Sequence, residues 1–132
     1  MILKKPGDFS LNKGITKILV ADDDEMVRTT VSKIVEMFGH QVDTAASGKE
    51  VMAKVNDSYD VILLDITMPG MDGFETMKQL NGLSFEIPVL FLTGVGSMDA
   101  VVKAINLGAY DFLTKPIEDL DIFNAKIKRA IE

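Results

Sequence analysis

Three consecutive aspartates, Asp22-Asp23-Asp24, directly follow the apolar run Ile18-Leu19-Val20-Ala21, and another, Asp65, closes the run Val61-Ile62-Leu63-Leu64. Neighbouring carboxylates about 4 to 6 Å apart repel by on the order of 1 kcal/mol or more where water is partly excluded. A positive group belongs among them. If both runs are parallel strands of one sheet, their carboxyl ends open on the same edge, and Asp22, Asp23 and Asp65 converge on one crevice suited to a hard cation. Thr93 follows the apolar run from Pro88 to Leu92, and Lys115 lies just beyond the run from Tyr110 to Leu113. Four sequence-distant runs thus end in polar residues, which is hard to ascribe to coincidence. Asp24 and Asp72 read differently, as residues that begin helices or turns. His40, alone beside Gly39, reads as a surface or capping residue without partners for a metal site.

The elements that would position these residues alternate along the chain. Lys17 to Ala21 is a buried strand. Val27, Val31, Ile34, Val35 and Phe38 recur at helical spacing until Gly39. Gln41 to Ala45 is a more exposed strand, followed by a short helix carrying Val51, Met52 and Val55. Val61 to Leu64 is a fully apolar strand, and Met68-Pro69-Gly70-Met71-Asp72-Gly73 is a loop by its Pro and Gly content. Phe74, Met77 and Leu80 mark the next helix. A fourth strand enters through Pro88, which suits a first strand position. Met98, Val101, Val102 and Ile105 mark a helix that stops at Gly108, Tyr110 to Leu113 is the fifth strand, and Leu120, Phe123, Ile127, Ala130 and Ile131 line a closing helix. Five strands alternating with five helices predict a parallel sheet covered on both faces. With right-handed crossovers this is a doubly wound, flavodoxin-like α/β fold, for which the strand order 2-1-3-4-5 is expected.

Composition narrows the classes. The 132 residues are 47% hydrophobic and 26% charged, the balance of one globular domain. No apolar run approaches the roughly 20 residues needed to cross a bilayer, and the N-terminus is the reverse of a secretory signal. The chain reads as cytoplasmic and without a membrane partner. The absence of cysteine excludes disulfides, thiolate metal sites and cysteine nucleophiles. A net charge of -6 with no basic stripe argues against direct nucleic-acid binding. Residues 1–15 read as a flexible leader or a remnant of cloning, and residues 16–132 as the folded domain.

Taken in order, Ile18 to Asp24, Leu64-Asp65-Ile66-Thr67-Met68-Pro69-Gly70-Met71-Asp72-Gly73, Leu92-Thr93-Gly94 and Gly108-Ala109-Tyr110-Asp111-Phe112-Leu113-Thr114-Lys115-Pro116 resemble the receiver domain of two-component response regulators. The likeness spans residues 16 to 132. It implies that Asp65 is a phosphoacceptor, attacking the phosphorus of a phosphohistidine on a sensor histidine kinase or a histidine phosphotransfer protein to give an acyl phosphate. It further implies Mg2+, with Mn2+ as a substitute, held by Asp23, Asp65 and the Thr67 carbonyl, and by Asp22 through water. Lys115 and the Thr93 hydroxyl would each meet a phosphoryl oxygen, Gly94 would leave the approach open, and Phe112 would be the aromatic switch. The Lys115-Pro116 bond would be cis. Such a chain is a signalling phosphoacceptor in a relay, catalysing only its own phosphotransfer and dephosphorylation. Its fourth helix, fifth strand and fifth helix would form the face that meets an output, a partner or a second copy.

Other classes fit the residues less well. An enzyme of the haloacid dehalogenase type needs a second Asp two positions after the nucleophile, where this chain has Thr67. An FMN-binding flavodoxin needs a phosphate cradle in the first loop, where this chain places Asp22-Asp23-Asp24. A receiver-like docking module that is never phosphorylated would have lost one of the strand-end residues, and none is lost.

Overall fold

The structure, a computed structural model, describes residues 15–94 and 98–132. The leader expected over residues 1–15 therefore lies, apart from Ile15, outside the described residues. Ten elements alternate: β1 (Lys17–Ala21), α1 (Glu25–Met37), β2 (Gln41–Ala45), α2 (Gly48–Lys54), β3 (Val61–Asp65), α3 (Gly73–Asn81), β4 (Val89–Thr93), α4 (Met98–Asn106), β5 (Asp111–Thr114) and α5 (Leu120–Ile131). The strands form one parallel sheet in the order β2-β1-β3-β4-β5, as the alternating pattern and the fold class led us to expect. The observed β4 and β5 each begin one residue later than the apolar runs suggested.

Side-chain alternation divides the core into two layers. Leu19, Ala21, Ile62, Leu64, Val89 and Phe91 pack with Val51 of α2, Met77 and Leu80 of α3 and Ala104 of α4. Ile18, Val20, Val61, Leu63, Leu90, Leu92 and Leu113 pack with Val31 and Val35 of α1 and Phe123, Ile127 and Ala130 of α5. Because β3 and β4 are covered on both faces, every residue in them is buried. That is why their sequences are continuous apolar runs rather than alternating ones.

Local signals set the helix ends. The Asp24 side chain accepts from the Met26 and Val27 amides to begin α1, and Asp72 accepts from the Glu75 amide to begin α3. Caps of this kind contribute about 1 kcal/mol each. Gly39 and Gly108 take φ of 94° and 97°, the left-handed conformation that ends α1 and α4 at little cost only for glycine. The apolar residues that mark α4 do not all enter the core. Met98, Val102 and Ile105, spaced i, i+4, i+7, form a stripe that stays 74%, 49% and 55% exposed, while Ala104 is the buried contact.

His40 departs from the reading of a surface or capping residue. It enters β2 half-buried, with Nδ1 against the Thr16 hydroxyl and Nε2 buried without a hydrogen-bond partner among the described residues. Burial lowers its pKa below the usual 6.5, with Asp60 opposing that shift and Lys128 reinforcing it. A histidine whose folded pKa is depressed binds protons more readily in the unfolded chain, so its contribution is complete above 6.5 and shrinks as pH falls through that value. The urea midpoint of the wild type should therefore shift downward relative to that of His40→Gln as pH drops below 6.5, the opposing gain from Asp65 being common to both proteins.

Candidate functional site

The carboxyl ends of β1, β3, β4 and β5 meet at one edge of the sheet. Asp22 follows β1 and Asp65 closes β3; they are 0% and 4% exposed. With the exposed Asp23 they offer one oxygen each within 4.8 Å of one another. Lys115, just beyond β5, reaches between the two buried carboxylates, its Nζ 2.9 Å from Asp22 Oδ2 and 3.2 Å from Asp65 Oδ1. The positive group demanded by the acidic run is thus supplied by a side chain 93 residues away. The peptide bond between Lys115 and Pro116 is cis, as the family resemblance implied.

One ammonium does not neutralise three carboxylates. Burial, with the Asp22 charge adding to it, pushes the Asp65 carboxyl up to about 6, although Lys115 and the Thr67 amide pull the other way. Burial works against the Lys115 charge, yet the hydrogen bond to Asp22 and the charge of Asp65 hold its pKa above the usual lysine value. The site is left short of positive charge, and its donors are hard oxygens. That is the donor set and the electrostatic deficit a small divalent cation fits.

Thr93 ends β4 and is buried, and its carbonyl accepts from the Lys115 amide at 2.7 Å. Thr67 is exposed beside Asp65, its amide 3.4 Å from Asp65 Oδ1. A Cβ added at Gly94 would meet no atom of the described residues within 4 Å. Phe112 is half-buried against the layer that contains Phe91, its register partner on β4. Lys126 of α5 donates to the Phe112 carbonyl at 2.8 Å and lies 4.7 Å above its ring.

Two residues gain roles that spacing did not reveal. A Cβ on Gly73 would lie 2.3 Å from the Asp65 carbonyl oxygen and 2.8 Å from Ile66 Cα, so only glycine lets α3 start against the end of β3. The Gly73 amide also donates to the Ile66 carbonyl at 2.8 Å. Arg28 of α1 reaches back so that Nη1 donates to the Asp22 carbonyl at 2.8 Å. Its place one helical turn beyond Asp24 was a usable signal, since i and i+4 lie on one face of a helix.

Comparison with known proteins agrees with this fold. The family model for the response regulator receiver domain matches residues 18–127, and the chain belongs to that family. It is 39% identical over 117 residues to the transcriptional regulatory protein CpxR homolog of Haemophilus influenzae, covering 89% of this chain and 51% of that protein. It is 36% identical over 115 residues to the transcriptional regulatory protein ZraR of Escherichia coli, covering 86% of this chain and 26% of that one. The chain therefore spans about half the length of the first relative and about a quarter of the second. Among solved structures, the receiver domain of NtrX from Brucella abortus superposes with a TM-score of 0.80 at 33% identity, covering 86% of this chain and 97% of that one. Chemotaxis protein CheY4 of Vibrio cholerae does so with a TM-score of 0.78 at 32% identity, covering 88% and 98%. Among the described residues no helix is long and apolar enough to cross a membrane.

The charge deficit has a thermodynamic signature. A carboxyl whose folded value stands at about 6 instead of 3.8 costs stability at neutral pH, where its proton has been lost in both states. Asp65→Asn should raise the melting midpoint at pH 7.5 by a few degrees in the absence of divalent metal. Millimolar Mg2+ should raise the wild-type midpoint by mass action, and Asp23→Asn should abolish that rise. Calorimetric melts with MgCl2 and with EDTA check both; a wild-type midpoint indifferent to Mg2+ counts against a metal site.

Proposed function

We propose that this chain is the phosphoacceptor of a two-component relay and that Asp65 carries the phosphoryl group. The observation that carries the reading is the buried Asp65 carboxylate held against the Lys115 ammonium, within ligand distance of Asp22 and Asp23. An Asp65 oxygen attacks phosphorus, the P–N bond of the donor's phosphohistidine breaks, the imidazole leaves with the bonding pair, and an acyl phosphate remains. Mg2+ held by Asp23, Asp65 and the Thr67 carbonyl, with Asp22 acting through water, would supply charge neutralisation for the phosphoryl oxygens, and Mn2+ would substitute. Lys115, already paired with Asp65, would transfer its ammonium to a phosphoryl oxygen as a mobile point charge. The Thr93 hydroxyl would donate to another. The donor is a sensor histidine kinase or a histidine phosphotransfer protein in the cytoplasm. The chain would act on no separate substrate, its chemistry being limited to its own phosphorylation and dephosphorylation.

The output surface in this reading is the face of α4, β5 and α5. Thr93 and Phe112 lie on adjacent strands, and alternation sends Phe91, Thr93 and Phe112 to the same side of the sheet. Thr93 drawn onto a phosphoryl group would vacate space that the Phe112 ring can enter. Exposed Met98, Val102 and Ile105 on α4, with Tyr110 before β5 and Ile122 on α5, then form apolar ground for an output domain, a partner protein or a second copy. No direct contact with nucleic acid is assigned to this chain.

With acetyl phosphate and Mg2+ the wild type should gain one phosphoryl group of base-labile character, seen by intact-mass spectrometry, and Asp65→Asn should gain none. Modification of a serine or threonine instead would sink the assignment. The switch has its own test. Beryllofluoride, a stable phosphoryl mimic, should shift amide NMR signals of Phe112, Tyr110 and the start of α4 near Met98, while Thr93→Ala should keep metal binding and lose most of those shifts. Shifts confined to the loops around Asp23 and Asp65 would make Phe112 a plain core residue.

A further inference from the structure

Asp23 differs from its neighbours in how it is aimed. The Asp22 carboxylate is fixed at both oxygens, Oδ1 accepting from the Asp24 amide at 2.9 Å and Oδ2 pairing with Lys115 at 2.9 Å. Asp24 caps α1. Asp23 is exposed, and among the described residues its carboxylate makes no hydrogen bond or ion pair. The backbone on either side of it therefore sets the direction of its Cα–Cβ bond, from which the carboxylate turns through χ1 and χ2. On the far side the Asp24 amide is held by Asp22 Oδ1. On the near side the Asp22 amide donates to the Ala45 carbonyl at 3.1 Å, and the Asp22 carbonyl, which belongs to the peptide unit joining Asp22 to Asp23, is gripped by Arg28 Nη1 at 2.8 Å.

From this geometry we infer that Arg28 is a positioning residue: by clamping the Asp22 carbonyl it orients the Asp22–Asp23 peptide plane and so aims the Asp23 carboxylate at the metal position. The inference rests on the metal reading given above. The peptide unit is planar, so holding its carbonyl oxygen fixes the amide of Asp23 as well, and of the backbone only φ and ψ at Asp23 remain to be set, the side chain then turning through χ1 and χ2. The Asp24 end constrains these through its own amide bond and cap. A neutral side chain at position 28 would leave the carbonyl to water and let the acidic loop rotate. The guanidinium also sits on α1, whose first turn carries the Arg28 amide bond to the Asp24 carbonyl at 2.9 Å, so helix and loop are tied twice within one turn.

Positioning and plain electrostatics make opposite forecasts, which is what gives the inference content. Arg28 is a cation beside a cation site. If charge were all that mattered, removing it would relieve repulsion and tighten Mg2+. If aiming Asp23 matters more, removing it weakens Mg2+, in the way that loss of a residue supporting a metal ligand weakens affinity by about 10-fold or more.

Isothermal titration of the unphosphorylated protein with MgCl2, alongside melts in EDTA, separates the cases. Arg28→Ala should raise the Mg2+ dissociation constant about 10-fold, and Arg28→Lys, which keeps the charge and most of the reach, should fall between the two. Arg28→Ala binding Mg2+ as tightly as the wild type, or more tightly, overturns the inference. Should Arg28→Ala fail to fold in the melts, Arg28→Lys decides alone: weaker binding supports the clamp, and wild-type affinity overturns it. A wild type that binds no Mg2+ overturns the metal reading and this inference with it, whereas Mg2+ binding lost in Asp23→Asn but kept in Arg28→Ala overturns the clamp only.

Discussion

The ammonium of Lys115 between Asp22 and Asp65 is the interaction on which the arrangement of this domain depends. Two carboxylates that are 0% and 4% exposed lie side by side at this edge, and two such charges about 4 Å apart repel by on the order of 4 kcal/mol at an effective dielectric of about 20. Lys115 offsets part of that cost, yet burial first and the Asp22 charge after it still hold the Asp65 carboxyl at about 6. A site that is over-acidic but not disrupted has the electrostatic deficit that a further cation fits.

Holding that charge in place requires the backbone to converge closely. β3 delivers Asp65 from the centre of the sheet, where neighbours on both sides fix its register. Gly73 brings α3 against the Asp65 carbonyl, an approach that any Cβ would prevent. Asp22 spends its two carboxylate oxygens on Lys115 and on the Asp24 amide, and its carbonyl on Arg28. The acidic loop is consequently more tightly built than its solvent-facing position suggests. Only Asp23 projects freely from it.

The opposite side of β5 is organised with less commitment. Phe112 is half-buried and lies under the Lys126 ammonium, and Lys126 is 3.5 Å from Asp111 Oδ1 as well. Tyr110 is 45% exposed, its hydroxyl donating to the Arg129 carbonyl at 3.2 Å. Bonds of this kind, at the surface and to mobile side chains, contribute little individually. α4 adds an outward apolar stripe and buries little beyond Ala104. A weakly held face beside a strongly held site is the arrangement in which a local change of charge can alter packing at modest cost.

Much of this was legible in the residues themselves. The unbroken apolar runs of β3 and β4 declared strands buried on two faces, the glycines at 39 and 108 declared helix ends, and Asp24 and Asp72 declared caps, because each of these is a local steric or hydrogen-bonding requirement that a short segment carries wherever it sits. The polar residues at strand ends identified the crevice, since parallel strands share an edge. Other features depended on how distant segments meet. That Lys115 is the cation demanded by Asp22, that Gly73 must lack a Cβ because the Asp65 carbonyl is there, that Arg28 turns back to the acidic loop, that His40 is drawn in against Thr16, and that Met98, Val102 and Ile105 face outward are all consequences of three-dimensional proximity. A sequence specifies what a residue can do locally; which partner it finds, and which side of an amphipathic helix is left uncovered, is decided only when the layers pack.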